Sequence, residues 1–361
     1  MVFANERLRE QARSTKPSRV APSRFAFNPS DVATSLRAHI RGQDEVINRL
    51  EDQLNVIASG LYDERRPLLS ALFIGATGTG KTETVRQLAK AIHGRTDAFC
   101  RIDMNTLSQA HYSAAITGAP PGYVGSKENL SLFDDDLLCG TSTRPGIVLF
   151  DEIEKADTSV VRALMNVLDN GVLKLASGQK SLSFHNTLVF MTSNVGSRQA
   201  DRLGWLEQLP GMNRPAVYKR ALLRHFDTEF INRIGIVEYF SALPSTALPG
   251  LVEQLESGLN ERLKKQQLSI AMDSHARLFI AQHADTKRYG ARALERAFRD
   301  HVITGVARFI QTATTATTHL CLKISANHQS LIFRPEYSAD DAEHTLTTPT
   351  SLSATQGENH D

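Results

Sequence analysis

The chain has 361 residues, with 41 Lys and Arg against 39 Asp and Glu and a formal net charge of +2. At ~150 residues per domain that length suggests two domains with tails, and the near-balance of charge excludes a strongly polycationic chain drawn to nucleic acid. No apolar run approaches the ~18 residues of a spanning helix, the first residues lack the apolar stretch of a secretory signal, and three widely spaced cysteines (Cys100, Cys139, Cys321) fit a reducing cytoplasm better than a disulfide framework.

Residues 1–35 carry six Lys and Arg against three Asp and Glu, interrupted by Pro17, Pro22 and Pro29. They read as a basic flexible arm, with a short helix at 5–13, that could dock an adaptor. Glu6 and Glu10 argue against a mitochondrial presequence. No internal repeat is evident.

The middle of the chain alternates strand and helix patterns. Ser70–Gly75 is a short apolar run ending in glycine, as in a buried parallel strand. A helix with Val85, Leu88 and Ile92 on one face follows. Cys100–Met104, Ile147–Phe150, Thr187–Met191 and Ile236–Phe240 are four further strand candidates. Between the third and fourth strands, a helix at 158–169 places Val161, Leu164, Met165 and Leu168 on one stripe, and Gly171 stops it. Strands separated by helices predict a parallel α/β sheet.

After Pro244 the pattern becomes helical. One stripe runs through Leu248, Leu251, Val252, Leu255, Leu259 and Leu263, and a second through Leu294, Phe298, Val302, Val306 and Ile310. Two strand-like runs, Leu320–Ile324 and Leu331–Phe333, suggest a closing hairpin. From residue 336 to 361 there are six Asp and Glu and no Lys or Arg. With few apolar residues to offset ordering entropy, this stretch reads as an acidic disordered tail.

Three segments carry chemistry. Residues 75–82 read Gly75-Ala76-Thr77-Gly78-Thr79-Gly80-Lys81-Thr82, a phosphate-binding loop between an apolar strand and a helix. Its glycines let successive N–H groups curl around phosphate oxygens, and the helix start adds its positive dipole end. Lys81 can reach the β- and γ-phosphates of ATP, and the Thr82 hydroxyl can ligate Mg²⁺. The strand Ile147–Phe150 runs into Asp151 and Glu152, at the edge that faces the nucleotide in an open α/β sheet. Asp151 suits Mg²⁺ coordination and Glu152 suits activation of an attacking water. Asn194, at the end of the fourth strand candidate, could bond that water or the γ-phosphate.

In this order and company, these segments resemble the AAA+ ATPases of the Clp family, over residues 37–335. Gly42–Ile47 (GQDEVI) is similar to the motif beside the adenine, and Ile40 just ahead of it is assigned to the nucleotide on that basis. GAPPGYVGS (118–126), DEIEKA (151–156), NVLDNGVLK (166–174), FINRIG (230–235) and YGARALERA (289–297) follow in family order. The best resemblance is to the second ATPase module of ClpA- and ClpB-type proteins. It implies a large AAA+ α/β ATPase domain at 36–242 and a smaller, mostly helical lid domain at 243–335.

The resemblance also implies roles. Arg233 would be an arginine finger reaching the neighbouring subunit's nucleotide, and Arg292 would sense the γ-phosphate within its own chain. Gly122, Tyr123, Val124 and Gly125 would form a pore loop whose aromatic grips polypeptide, in a homo-oligomeric, hexameric ring. The sequence departs from the family at SKENLSLFDDD (126–136) and at VLKLASGQKS (172–181), where a second pore loop is expected. Leu203-Gly204-Trp205 lies where relatives dock a peptidase, but its aromatic differs, and docking is not expected. The implied activity is ATP-driven unfolding or remodelling of proteins. Two alternatives stay open: a dedicated complex-disassembly or assembly ATPase of secretion or mobile-element machinery, and a nucleic-acid motor or loader. The aromatic loop and the near-neutral charge speak against the second of these.

Overall fold

In the computed structural model, which describes residues 23–108, 133–174, 181–202, 214–312, 320–327 and 329–337, the apolar runs become the inner strands of a sheet. The strands of the large domain are β1 (Leu69–Gly75), β2 (Cys100–Asp103), β3 (Gly146–Asp151), β4 (Val172–Lys174), β5 (Ser181–Ser183), β6 (Thr187–Ser193) and β7 (Ile236–Phe240). Five of them form a parallel sheet in the order β2-β3-β6-β1-β7, while β4 and β5 pair as a separate antiparallel hairpin. The helices are α1 (Pro29–His39), α2 (Asp44–Ala58), α3 (Lys81–His93), α4 (Asp135–Cys139), α5 (Thr158–Asn170), α6 (Ser197–Asp201), α7 (Arg214–His225) and α8 (Thr228–Arg233).

The inner strands β1, β3 and β6 are buried almost throughout because both faces of the sheet are covered, whereas edge strand β2 alternates buried and exposed residues. Successive side chains alternate between two cores. Leu72, Ile74, Val148, Phe150, Val189 and Met191 pack with residues of α5, α7 and α8. Ala71, Phe73, Ile147, Leu149, Leu188 and Phe190 pack with α1, α2 and α3. Each fully buried side chain of this size is worth about 1.5–3 kcal/mol relative to exposure.

The expected arm at 1–35 is shorter on the described side. Phe25, Phe27, Val32 and Ala33 are buried in the second core, and α1 starts inside the supposed arm. Asn28 caps it by accepting the Ser30 N–H at 3.0 Å, with Pro29 in the first turn, where its missing N–H costs nothing. The sequence showed the prolines but not the apolar anchors between them. The stripe on α5 is also rotated: Val160, Leu164, Val167 and Leu168 are buried, while Val161 and Met165 are only partly covered.

The lid comprises α9 (Leu248–Leu263), β8 (Leu268–Met272), α10 (Ser274–His283), α11 (Thr286–Tyr289), α12 (Ala291–Phe298), α13 (Thr304–Thr312), β9 (Leu320–Ala326) and β10 (Leu331–Tyr337). The expected hairpin is antiparallel β9–β10, and β8 joins it in parallel to make a three-stranded sheet that sequence reading missed. β10 runs through Glu336 and Tyr337, which the sequence assigned to the tail; Glu336 pairs with Lys323 at 2.7 Å. Beyond Tyr337 the tail lies outside the described residues, as does the helix expected at 5–13. A π-helical turn at Arg299–Ile303 separates α12 from α13. Leu294, Phe298, Val302 and Val306 stay buried through it, and the expected stripe ends there, with Ile310 39% exposed.

Candidate functional site

Residues 75–82 join the C-terminal end of β1 to the N-terminus of α3. Gly78 has φ +79° and Gly80 φ +103°, a region that penalises any side chain. A Cβ on Gly78 would stand 2.3 Å from the carbonyl oxygen of Tyr289 in the lid. At the same point the Ala291 N–H donates to the Gly78 carbonyl at 2.9 Å. The loop and the first turn of α12 therefore meet backbone to backbone.

Lys81 is buried, and its Nζ donates to the carbonyls of Gly75 (2.7 Å) and Ala76 (2.8 Å) and to Asn194 Oδ1 (2.9 Å). Burial pushes its ammonium down to about 8, against the raising pull of Glu154 and Asp151. Asn194 also donates through Nδ2 to Glu152 Oε1 at 3.3 Å. One side-chain amide thus spans the lysine and the glutamate.

Asp151 ends β3 and is 6% exposed. Its Oδ1 accepts from the hydroxyls of Thr192 and, at 3.4 Å, Thr82. Its Oδ2 accepts from Arg101 Nε (3.0 Å) and Nη2 (2.6 Å). Glu152 follows at φ +58°, outside the usual range for a non-glycine residue, and its N–H donates to Thr192 Oγ1 at 2.9 Å. Such a backbone costs about 1–3 kcal/mol and persists where the surroundings enforce it. Here it turns the carboxylate into the cleft.

That cleft has a volume of about 400 Å³ and is lined by Thr77, Lys81, Thr82, Asp151, Glu152 and Arg292, among others. Gly78, Gly80 and Ala291 also line an adjoining cavity of about 330 Å³, walled by Ile40, Leu251, Leu255 and Leu294. A charged compartment beside an apolar one suits a nucleotide, with phosphates at one end and a flat base at the other. Thr79 turns inward, donating its hydroxyl to the Ala76 carbonyl at 2.9 Å. Gly75 and Ala76 contribute carbonyls to Lys81.

The hydroxyl of Thr82 and the carboxylate of Asp151 offer two hard oxygens at one spot. No group of three His, Cys, Asp or Glu residues forms a metal cage among the described residues. A cation that keeps its waters and takes phosphate oxygens, as Mg²⁺ does, fits such a donor pair. When bound, it would offset phosphate charge.

Arg233 does not line this cleft. It ends α8, with Nε 2.8 Å from Asp169 and Nη2 2.7 Å from Glu229. Gly122–Gly125, Leu203, Gly204 and Trp205 lie outside the described residues. Sequence reading missed three contributors. Arg101 clamps Asp151. Glu154 accepts the Asn194 N–H at 3.1 Å, and its other oxygen is buried with no hydrogen-bond partner. Gln43 bonds the Thr79 carbonyl at 3.3 Å. The third acid of Asp151–Ala156 was a visible signal for Glu154, and the Gly42–Ile47 motif one for Gln43; Arg101 had none.

Comparison with known proteins matches residues 66–237 to the AAA domain (Cdc48 subfamily) and residues 243–319 to the C-terminal, D2-small domain of ClpB protein. An ATP-dependent protease ATP-binding subunit-like protein, AmiB, of Pseudomonas aeruginosa is 47% identical over 292 residues, covering 78% of this chain and 79% of its own. The chain belongs to the Clp family of AAA+ ATPases. ClpC/MecB, the negative regulator of genetic competence of Bacillus subtilis, is 36% identical over 274 residues, 74% of this chain but 33% of its own length. A closed-state cryo-EM reconstruction of Hsp104 with ATPγS and FITC casein is similar with a TM-score of 0.72 at 25% identity, over 84% of this chain and 51% of that one. As a Clp-type AAA+ protein, the chain binds and hydrolyses ATP. No helix among the described residues is long and apolar enough to cross a membrane.

Proposed function

We propose that this Clp module assembles as a homo-oligomeric ring, in hexameric form, and uses ATP hydrolysis to thread and remodel polypeptide in the cytoplasm. The observation that carries the reading is the split of the hydrolytic set. Lys81, Asn194 and Glu152 are bonded together in one cleft, whereas Arg233 stands outside it. The cleft holds Arg101 and Arg292 but not Arg233, so in this reading Arg233 serves the cleft of a neighbouring subunit. In this reading Glu152 activates water, Lys81 and the loop 75–82 hold phosphates, Thr82 and Asp151 hold Mg²⁺, and Arg292 reads the γ-phosphate from the lid. Arg233 stabilises the charge on the transferring phosphoryl group of the neighbour. Gly122, Tyr123, Val124 and Gly125 present the polypeptide grip, because an aromatic gives large contact area at low entropy cost for any sequence. The casein complex of Hsp104 supports a polypeptide substrate.

The test is ATP turnover with and without an unfolded model polypeptide or duplex DNA. Stimulation by polypeptide that disappears in Tyr123→Ala, with basal turnover kept, supports threading. Stimulation by DNA alone would replace this reading with a nucleic-acid motor. Turnover indifferent to both would favour a dedicated complex-disassembly ATPase.

A further inference from the structure

The carboxylate of Asp169 is shared by two arginines, one on each oxygen. Oδ1 lies 3.4 Å from Arg66 Nη2, and Oδ2 lies 2.8 Å from Arg233 Nε. Glu229 takes a second Arg233 donor, Nη2, at 2.7 Å. These two acids are not equivalent. The Asp169 side chain is 27% exposed and sits at the end of α5, whose Val167 and Leu168 share a core with Phe230 of α8. The Glu229 side chain is 67% exposed, one turn back on Arg233's own helix. An exposed pair within one helix is worth little and moves freely. A half-buried pair between two packed helices fixes the plane of the guanidinium.

We propose that Asp169 is a positioning residue for ATP hydrolysis, holding the Arg233 side chain by its Nε edge. This rests on the reading of Arg233 as the finger for the neighbouring site. A guanidinium has five donors in one plane. With Nε committed to Asp169, both Nη1 donors and one Nη2 donor remain for a phosphoryl group. Arg66 contacts the far oxygen of the same carboxylate at 3.4 Å, which adds a second, weaker restraint on its rotation. Asp169 also lies two residues before Gly171, which leads directly into the β4–β5 hairpin. The anchor of Arg233 and the root of that hairpin are thus one piece of chain.

The experiment compares the full-length parent, Asp169→Asn, Arg233→Ala and the double variant. It reads kcat and KM for ATP, affinity for a fluorescent ADP, and assembly mass. Asp169→Asn is expected to lower kcat about tenfold to a hundredfold, the scale of a misplaced group. KM, ADP affinity and assembly should stay within about twofold of the parent, because nothing in the chain's own cleft changes. The double variant should match Arg233→Ala alone, since Asp169 acts only through that arginine. Asp169→Glu should restore part of kcat. If Asp169→Asn lowers kcat by the same factor when Arg233 is already alanine, the two act independently and the proposal is wrong. It is equally wrong if Asp169→Asn keeps the parent kcat while Arg233→Ala loses it. If Arg233→Ala itself turns over at the parent rate, the finger reading fails and the proposal falls with it.

Discussion

Asn194 Oδ1 lies 2.9 Å from Lys81 Nζ, so the residue that follows β6 is tied directly to the phosphate-loop lysine. The same amide reaches Glu152 through Nδ2. Asn194→Ala breaks both contacts without touching the loop backbone. Turnover should fall on the order of 10²–10³-fold, the scale for losing one aimed donor, while fluorescent ADP affinity changes by less than about threefold. A loss confined to affinity would remove Asn194 from the hydrolytic step.

Lys81 makes nucleotide binding depend on pH. In the free protein its ammonium is held down to about 8 by burial. Phosphate oxygens favour the charged form, so a bound nucleotide raises that value again. Binding at pH 9 should therefore take up a proton, and affinity should fall as pH rises above 8. The sign for stability is the reverse. Between about 8 and 10.5 the folded chain holds fewer protons than the unfolded one, so this group's contribution to stability increases across that window. Calorimetry at pH 9 in two buffers of different ionisation heat checks the first statement; equal heats would refute it.

Glycine positions separate contact from conformation. Gly78→Ala places a methyl against the Tyr289 carbonyl and strains a left-handed backbone. It should open the contact between loop and lid and weaken ADP binding by about tenfold or more, on the basis of ~1–3 kcal/mol of strain. Gly258→Ala is the opposite case. It lies inside α9 with nothing within 4 Å of a new Cβ. It should raise stability by about 0.5–1 kcal/mol and leave turnover unchanged, as measured by urea denaturation.

Arg101→Met leaves the buried Asp151 with its hydroxyl partners and the nearby Lys81 ammonium, but with no directly bonded charge. Arg101 is half exposed, so the stability cost should be modest, about 1 kcal/mol. Turnover should fall more than stability suggests, because Oδ2 is then free to rotate away. Arg101→Lys, which lacks the planar fork, should not restore it fully. Full activity in Arg101→Met would show that Thr82 and Thr192 orient Asp151 unaided.

The inner strands β1, β3 and β6 were legible because their side chains face two cores, and a mostly apolar run reports that directly. Gly75–Thr82, Asp151–Glu152 and Asn194 were legible because phosphate chemistry demands those residue types next to those strands. Other features depend on pairing across the chain. β8 alternates burial along Leu268–Met272, but only its partner β9, some fifty residues later, makes it a strand. Arg101 looks like any surface arginine until β2 lies beside β3 and brings it to Asp151. Phe25 and Phe27 sit among prolines and charges, and only the third dimension shows that they anchor the chain.

Gln43 joins places that are far apart in sequence. Its amide donates to the Thr79 carbonyl and to the Ser241 carbonyl at 2.9 Å, and accepts the Ser241 N–H at 3.0 Å. Ser241 is the first residue past β7, where the chain leaves the sheet for the lid. Gly42 beside it has Pro244 so close that a Cβ would stand 2.7 Å from the ring. The pivot of the lid is therefore latched to the phosphate loop by a single side chain. Any displacement of the chain at Ser241 would be felt at Thr79, and any displacement of the loop at Ser241, through one amide.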